Sequence, residues 1–190
     1  MPFLRNALWT NLTLILAGGF MMASSACSSI PIISSTYHDA GYRSGEWGGN
    51  DLQIVVLGAP FALPPAEFAA AVAEAMQGAA SGYPTRFVTA SPGADPAYRV
   101  VLMFNPPPGA GYNVLCRRPA ATDALSGEAA SERVQVLVAF CRGDRAMTSA
   151  EGWVPTAGGP HSADFKRGIN AFGRQLFPPP GGTGPIMFGA

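Results

Sequence analysis

The sequence predicts an α+β fold. It reads as a single two-layer domain, a mostly antiparallel sheet of about 4–5 strands with two helices packed on one face. Three observations carry this. Segments 98–105 and 133–141 alternate side chains with the two-residue period of strands. Segments 64–77 and 162–176 each carry one apolar stripe at helical spacing, the pattern of a helix covering a sheet. The resulting element order, β-α-β-β-β-β-α, leaves each helix a partner surface.

Taken in order, residues 27–50 are rich in Ser, Gly and Tyr without a sustained period, and read as a flexible tether. Trp47 lies within it, and a large aromatic there either docks on the domain or serves as a contact handle. The folded domain is expected over 51–178, followed by a Pro/Gly-rich tail at 179–190. Ile54, Val55, Val56 and Leu57 form a continuous apolar run bounded by Gly58 and Pro60, as in a buried strand. Pro64 and Pro65 suit the first turn of a helix, in which Phe68, Val72 and Met76 make the core stripe and Gly78 the stop. A short strand is expected over 86–90.

In 98–105 both faces are apolar at their inner positions, so this strand is central. The run Pro106-Pro107-Pro108-Gly109 is a stiff connection, and 112–116 reads as a second hairpin arm. Val134, Val136, Val138 and Phe140 make 133–141 the clearest strand, and 145–154 follows it with a break over 148–152. Ser162 predicts an N-cap, with Asp164 favourably placed in the first helical turn. Phe165, Ile169, Phe172 and Leu176 form the stripe, despite Gly168 and Gly173, each of which costs up to about 1 kcal/mol relative to Ala.

Charge excludes one class of partner. Twelve basic and 12 acidic residues balance, so no overall field attracts nucleic acid or an acidic polymer. Lys166 is the single lysine, and the excess of Arg together with abundant Ala, Gly and Pro reads as the coding bias of a GC-rich genome.

The amino-terminal stretch carries an address. Arg5 and the free amino group supply a positive start, 8–22 an apolar stretch, and Ser24, Ser25 and Ala26 small residues before Cys27. That order is the one a secretory signal needs, and the apolar run is shorter than the roughly 20 residues of a spanning helix. The end of the segment resembles the lipobox of bacterial lipoproteins. Ser25, Ala26 and Cys27 match, while Ser24 stands where that family usually has Leu. The resemblance covers residues 1–27 and concerns processing alone. It implies a signal peptide over 1–26, removal of that segment, and acylation of Cys27, which becomes the membrane anchor. Ser28, in place of the Asp that favours inner-membrane retention in enterobacterial lipoproteins, points to the outer membrane. Ordinary cleavage after Ala26 would instead give a soluble periplasmic protein.

With Cys27 committed to lipid, Cys116 and Cys141 remain as a pair. An oxidising periplasm favours a disulfide, the alternative being two buried thiols. Adjacent antiparallel strands at 112–116 and 133–141 would hold the two cysteines roughly 23 Å apart, so a bridge requires another arrangement of those segments.

Little else in the sequence carries chemistry. His38 and His161 are the two histidines, and His161 with Asp164 is too small a set for a metal site. No G-x-S-x-G, phosphate-loop, dinucleotide or H-E-x-x-H motif occurs. No cofactor and no metal are expected. Arg142-Gly143-Asp144 reads as a polar turn after a strand. Arg117, Arg118, Arg142 and Arg145 flank the two cysteines, and a bridge would gather them into a possible anion site, unless nearby Asp123, Asp144 or Glu128 pair with them.

The function expected is therefore that of a non-enzymatic cell-envelope lipoprotein. It would be a structural, assembly or accessory binding component on the periplasmic side, with the membrane and an envelope protein as partners. The alternatives are a small-ligand or anion-binding domain and, further off, a periplasmic hydrolase around His161. The oligomeric state is not legible.

Overall fold

The strand expected to be central is central. The computed structural model describes residues 32–39, 42, 46–47, 51–90, 92–117 and 132–179. The segment expected as a signal peptide, Cys27, Arg118, Asp123, Glu128 and residues 180–190 lie outside them. The described elements are β1 (Ile32–His38), β2 (Leu52–Leu57), α1 (Pro65–Met76), β3 (Phe87–Val88), β4 (Tyr98–Phe104), α2 (Tyr112–Arg117), β5 (Arg133–Arg142), β6 (Arg145–Pro155) and α3 (Ala163–Leu176).

The fold is α+β, built on one mixed six-stranded sheet of order β1-β6-β5-β4-β2-β3. Three pairings, β1 with β6, β6 with β5 and β5 with β4, are antiparallel. The pairings of β2 with β3 and with β4 are parallel. Parallel neighbours need a crossover, and α1 supplies it between β2 and the strands that follow. The apolar run of β2 suits such a strand, because residues of both faces are covered in a parallel pair.

α1 and α3 pack on one face. Phe68, Val72 and Met76 from α1 meet Phe165, Ile169, Phe172 and Leu176 from α3 over Val100, Leu102, Phe104, Val136, Val138 and Phe140 of the sheet. Each such side chain taken fully out of water stabilises by about 1.5–3 kcal/mol. The helices approach closely because α3 carries glycine where it crosses its neighbours. A Cβ on Gly168 would lie 2.7 Å from Val154 Cγ1, and one on Gly173 would lie 2.5 Å from Ala79 Cβ. Asn170 of α3 also donates to the carbonyls of Ala75 (3.2 Å) and Gln77 (3.0 Å), satisfying groups that the end of α1 leaves unpaired. Ser162 caps α3 as expected, its Oγ accepting from the Phe165 N–H at 3.2 Å.

Four expectations are corrected. The segment 112–116, expected as a strand, is the helix α2. Its Leu115 and Cys116 are buried neighbours, which a strand would send to opposite faces and a helix turns to the same side. α2 packs on the face opposite α1 and α3, against Val101, Met103, Leu137, Ala139 and Cys141, so the domain is more than two-layered. Strand β6 runs unbroken through 148–152, because β1 and β5 pair with it on both edges there. Finally, the sheet begins inside the segment read as a tether, at Ile32. The shift of register between Ile33 and Ser35 interrupts the alternation that would have marked β1.

Trp47 docks on the domain. It is buried, its Nε1–H donates to Thr85 Oγ1 at 2.8 Å, and its ring meets Tyr83, Phe140 and Phe177 edge-on at 4.9–5.4 Å between centroids. Gly58 has φ +84°, and a Cβ there would collide with the Phe104 carbonyl oxygen at 2.5 Å.

Candidate functional site

Residues that chemistry can use gather at the end of the sheet where β5 turns into β6. The turn is Arg142-Gly143-Asp144-Arg145, with Gly143 at φ +56°. A side chain at that angle is strained, so glycine permits the tight reversal. The two strands thus put Arg142 and Arg145 directly opposite each other.

α2 is fastened to the same end. The Cys116–Cys141 disulfide joins its last turn to β5 with Cα atoms 5.5 Å apart. Arg99 of β4 donates to the Cys116 carbonyl, and the Ala146 N–H donates to Asn113 Oδ1 at 3.3 Å. The bridge is possible because α2 is a helix that packs on the sheet. The separation of roughly 23 Å required by a simple antiparallel hairpin does not arise.

Between α2 and the turn lies an open cleft of about 490 Å³, lined by Asp39, Asn113, Arg117, Asp144, Arg145 and Ala146. Its charges are matched. Arg145 pairs with Asp39, whose carboxylate is largely buried and whose N–H also bonds the Met147 carbonyl at 2.7 Å. Arg142 pairs with Glu46 at 3.2 Å. The long arm of Arg145 remains mostly in water, so that pair contributes little to stability on its own. Two guanidinium groups at one rim can still take an oxyanion through charge-assisted hydrogen bonds. Asp144 tempers the field.

Of the residues singled out from sequence, Cys116 and Cys141 are joined, Arg117 and Arg145 share the cleft, and Arg142 stands at the same turn. Cys27 and Arg118 lie outside the described residues. The partners of Arg142 and Arg145 are Glu46 and Asp39, and neither was in view. They come from a Gly- and Ser-rich stretch 96 and 106 positions away, where no local pattern marks an acid as a pairing group. Asn113 was missed with the helix that carries it.

His161 is exposed, and Asp164 accepts from Arg167 one turn further along α3. Among the described residues no group of three His, Cys, Asp or Glu side chains is placed to hold a metal ion. Among them too, no helix is long and apolar enough to cross a membrane.

No protein-family model matches the chain, and no curated protein matches it. One solved structure is similar, a PelC dodecamer from Paraburkholderia phytofirmans. It shares 10% sequence identity at a TM-score of 0.38, over 77% of this chain and 94% of that one. A likeness at that level carries no argument about what this chain does.

Proposed function

We propose that this chain is a non-catalytic lipoprotein of a bacterial cell envelope. It is held to the membrane through Cys27 and acts on the periplasmic side, at the outer membrane, as a structural, assembly or accessory binding component. The observation that carries the reading is the buried disulfide between Cys116 and Cys141. Such bridges persist in oxidising compartments and are rare in a reducing cytosol. The small-residue run before Cys27 supports the same destination from the sequence side. The test is the intact mass of the protein extracted from its native membrane and alkylated before and after reduction. The expected mass begins at Cys27 and includes acyl chains, with two further thiols freed only by reductant. A mass without acyl chains would remove the anchor, and thiols free before reduction would remove the compartment argument.

A second reading rests on the cleft. Arg117 and Arg145 on one open rim, with Asn113 beside them, favour an anionic ligand. Sulfate added to the purified protein would then raise its melting temperature more than chloride at equal ionic strength, and Arg117→Ala would abolish the difference. Equal responses of the unaltered protein to the two salts would dismiss this reading.

A further inference from the structure

We propose that the domain sits directly on the bilayer, with the Trp153 end of its sheet against the lipid surface and the arginine cleft turned away from it. This rests on the lipid anchor at Cys27 proposed above.

The first observation is the length of the connection. β1 begins at Ile32, five residues after Cys27, where the sequence alone suggested a tether to residue 50. Five residues fully extended reach at most about 18 Å. An acylated Cys27 therefore holds the start of β1 close to the headgroups, whatever path the intervening residues take.

The second observation is what stands beside that start. The register of β1 on β6 places Ile32 opposite Trp153. Trp153 is one of two large apolar side chains exposed among the described residues, with 36% of its surface in water. Tryptophan has an apolar body and a polar N–H, and it concentrates where hydrocarbon meets water. The other exposed apolar residue, Val114, lies on α2 next to the cleft residue Asn113. From Ile32 the strand runs six residues to His38, about 20 Å at 3.3 Å per residue, before it reaches Asp39 in the cleft. The anchor and Trp153 thus mark one end of the sheet, and the cleft marks the other.

The surroundings of Trp153 fit a headgroup contact. Gln135 lies opposite it on β5 and donates to Glu151 Oε1 at 2.7 Å, which ties down that carboxylate two residues before Trp153 on β6. The surface that results among the described residues is one aromatic ring with a polar rim that carries charges of both signs, Glu151 and, opposite Pro155 at the same end of β5, Arg133. The lipid surface it fits is zwitterionic, and the acyl anchor supplies the attraction.

The test uses a property of the chain. Of its three tryptophans, Trp9 lies in the signal segment, Trp47 is buried and Trp153 is exposed. The mature protein, purified from its native membrane, is reconstituted into phosphatidylcholine vesicles with and without lipids brominated near the headgroup end of their chains. Bromine quenches indole on close contact. The expected result is loss of the exposed tryptophan's share of the emission, and absence of that loss in Trp153→Phe. Undiminished emission from a protein whose mass includes acyl chains would overturn the orientation and leave the anchor standing. Quenching that persists unchanged in Trp153→Phe would overturn it as well. A mass without acyl chains overturns the anchor and, with it, the reach argument.

Discussion

Gly168→Ala opposes a local rule to a tertiary one. Gly168 sits inside α3, where helix propensity alone credits Ala with about 1 kcal/mol over Gly. The structure adds a term of opposite sign. The new methyl would stand 2.7 Å from Val154 Cγ1 and 3.2 Å from Cγ2. Val154 is fully buried, and a β-branched side chain in a strand has few rotamers into which to withdraw. Overpacking of this kind costs about 1–3 kcal/mol, so the net expected change is a loss of about 1 kcal/mol. For a domain of this size that lowers the melting temperature by roughly 2–4 °C. Urea titration followed by circular dichroism measures the change, and a double-mutant cycle assigns it. In a Val154→Ala background the colliding methyls are gone, so Gly168→Ala should stabilise there by about the 1 kcal/mol of propensity. If Gly168→Ala stabilises the unaltered protein as much as the Val154→Ala protein, the close approach of α3 to β6 has no energetic weight and the reasoning fails.

The remaining predictions concern the bridge, the docked tryptophan and one exposed acid. Replacing both Cys116 and Cys141 by Ala should lower the unfolding free energy by about 3 kcal/mol in the chain-entropy treatment, and denaturant midpoints with and without reductant should differ only for the unaltered protein. Thr85→Val keeps the shape but leaves the buried Trp47 N–H without its acceptor. It should cost about 1–3 kcal/mol in the same titration, with a change in the buried tryptophan's emission. Glu74 is held below the usual carboxylate range by its hydrogen bond from Lys166 and by that residue's charge. A depressed carboxyl contributes stability that is present above its unfolded-state pKa and fades as pH falls through the folded value. Glu74→Gln should therefore lower the midpoint slightly at neutral pH, only slightly because the pair is exposed, leave it unchanged below the folded-state pKa, and so flatten that part of the acid limb of a midpoint-against-pH curve. An acid limb identical to that of the unaltered protein would show that the pair carries no linkage.

The individual elements show how far local pattern reaches. β4 and β5 announce themselves because alternation is a property of the strand itself, and α3 because its stripe and its Ser162 cap are encoded within one segment. α2 fails the same treatment. Tyr112, Val114 and Cys116 alternate as in a strand, while the helix is chosen by the burial of Leu115 and Cys116 together against β5. β1 fails because its irregular register and its Ser34-Ser35 pair dilute the apolar signal. The candidate site divides in the same way. The cysteine pair and the neighbouring Arg residues could be named from composition and spacing, but Asp39, Glu46 and Asn113 could not.

By itself, the sequence determined the class of fold, the places of β2, α1, β4, β5 and α3, the balance of charge, and Cys116 and Cys141 as the candidates for a bridge, which the structure then joins. Each depends on residues close together in the chain or on a count. Tertiary structure alone decided that β2 and β4 run parallel, that β1 closes the sheet at its edge, that α2 is a helix on the opposite face, and which carboxylates meet Arg142 and Arg145. The physical reason is the range of the interactions. Propensity and periodicity act over one or two turns, whereas strand order and ion-pair partners are selected by burial between segments that the chain brings together only when it folds.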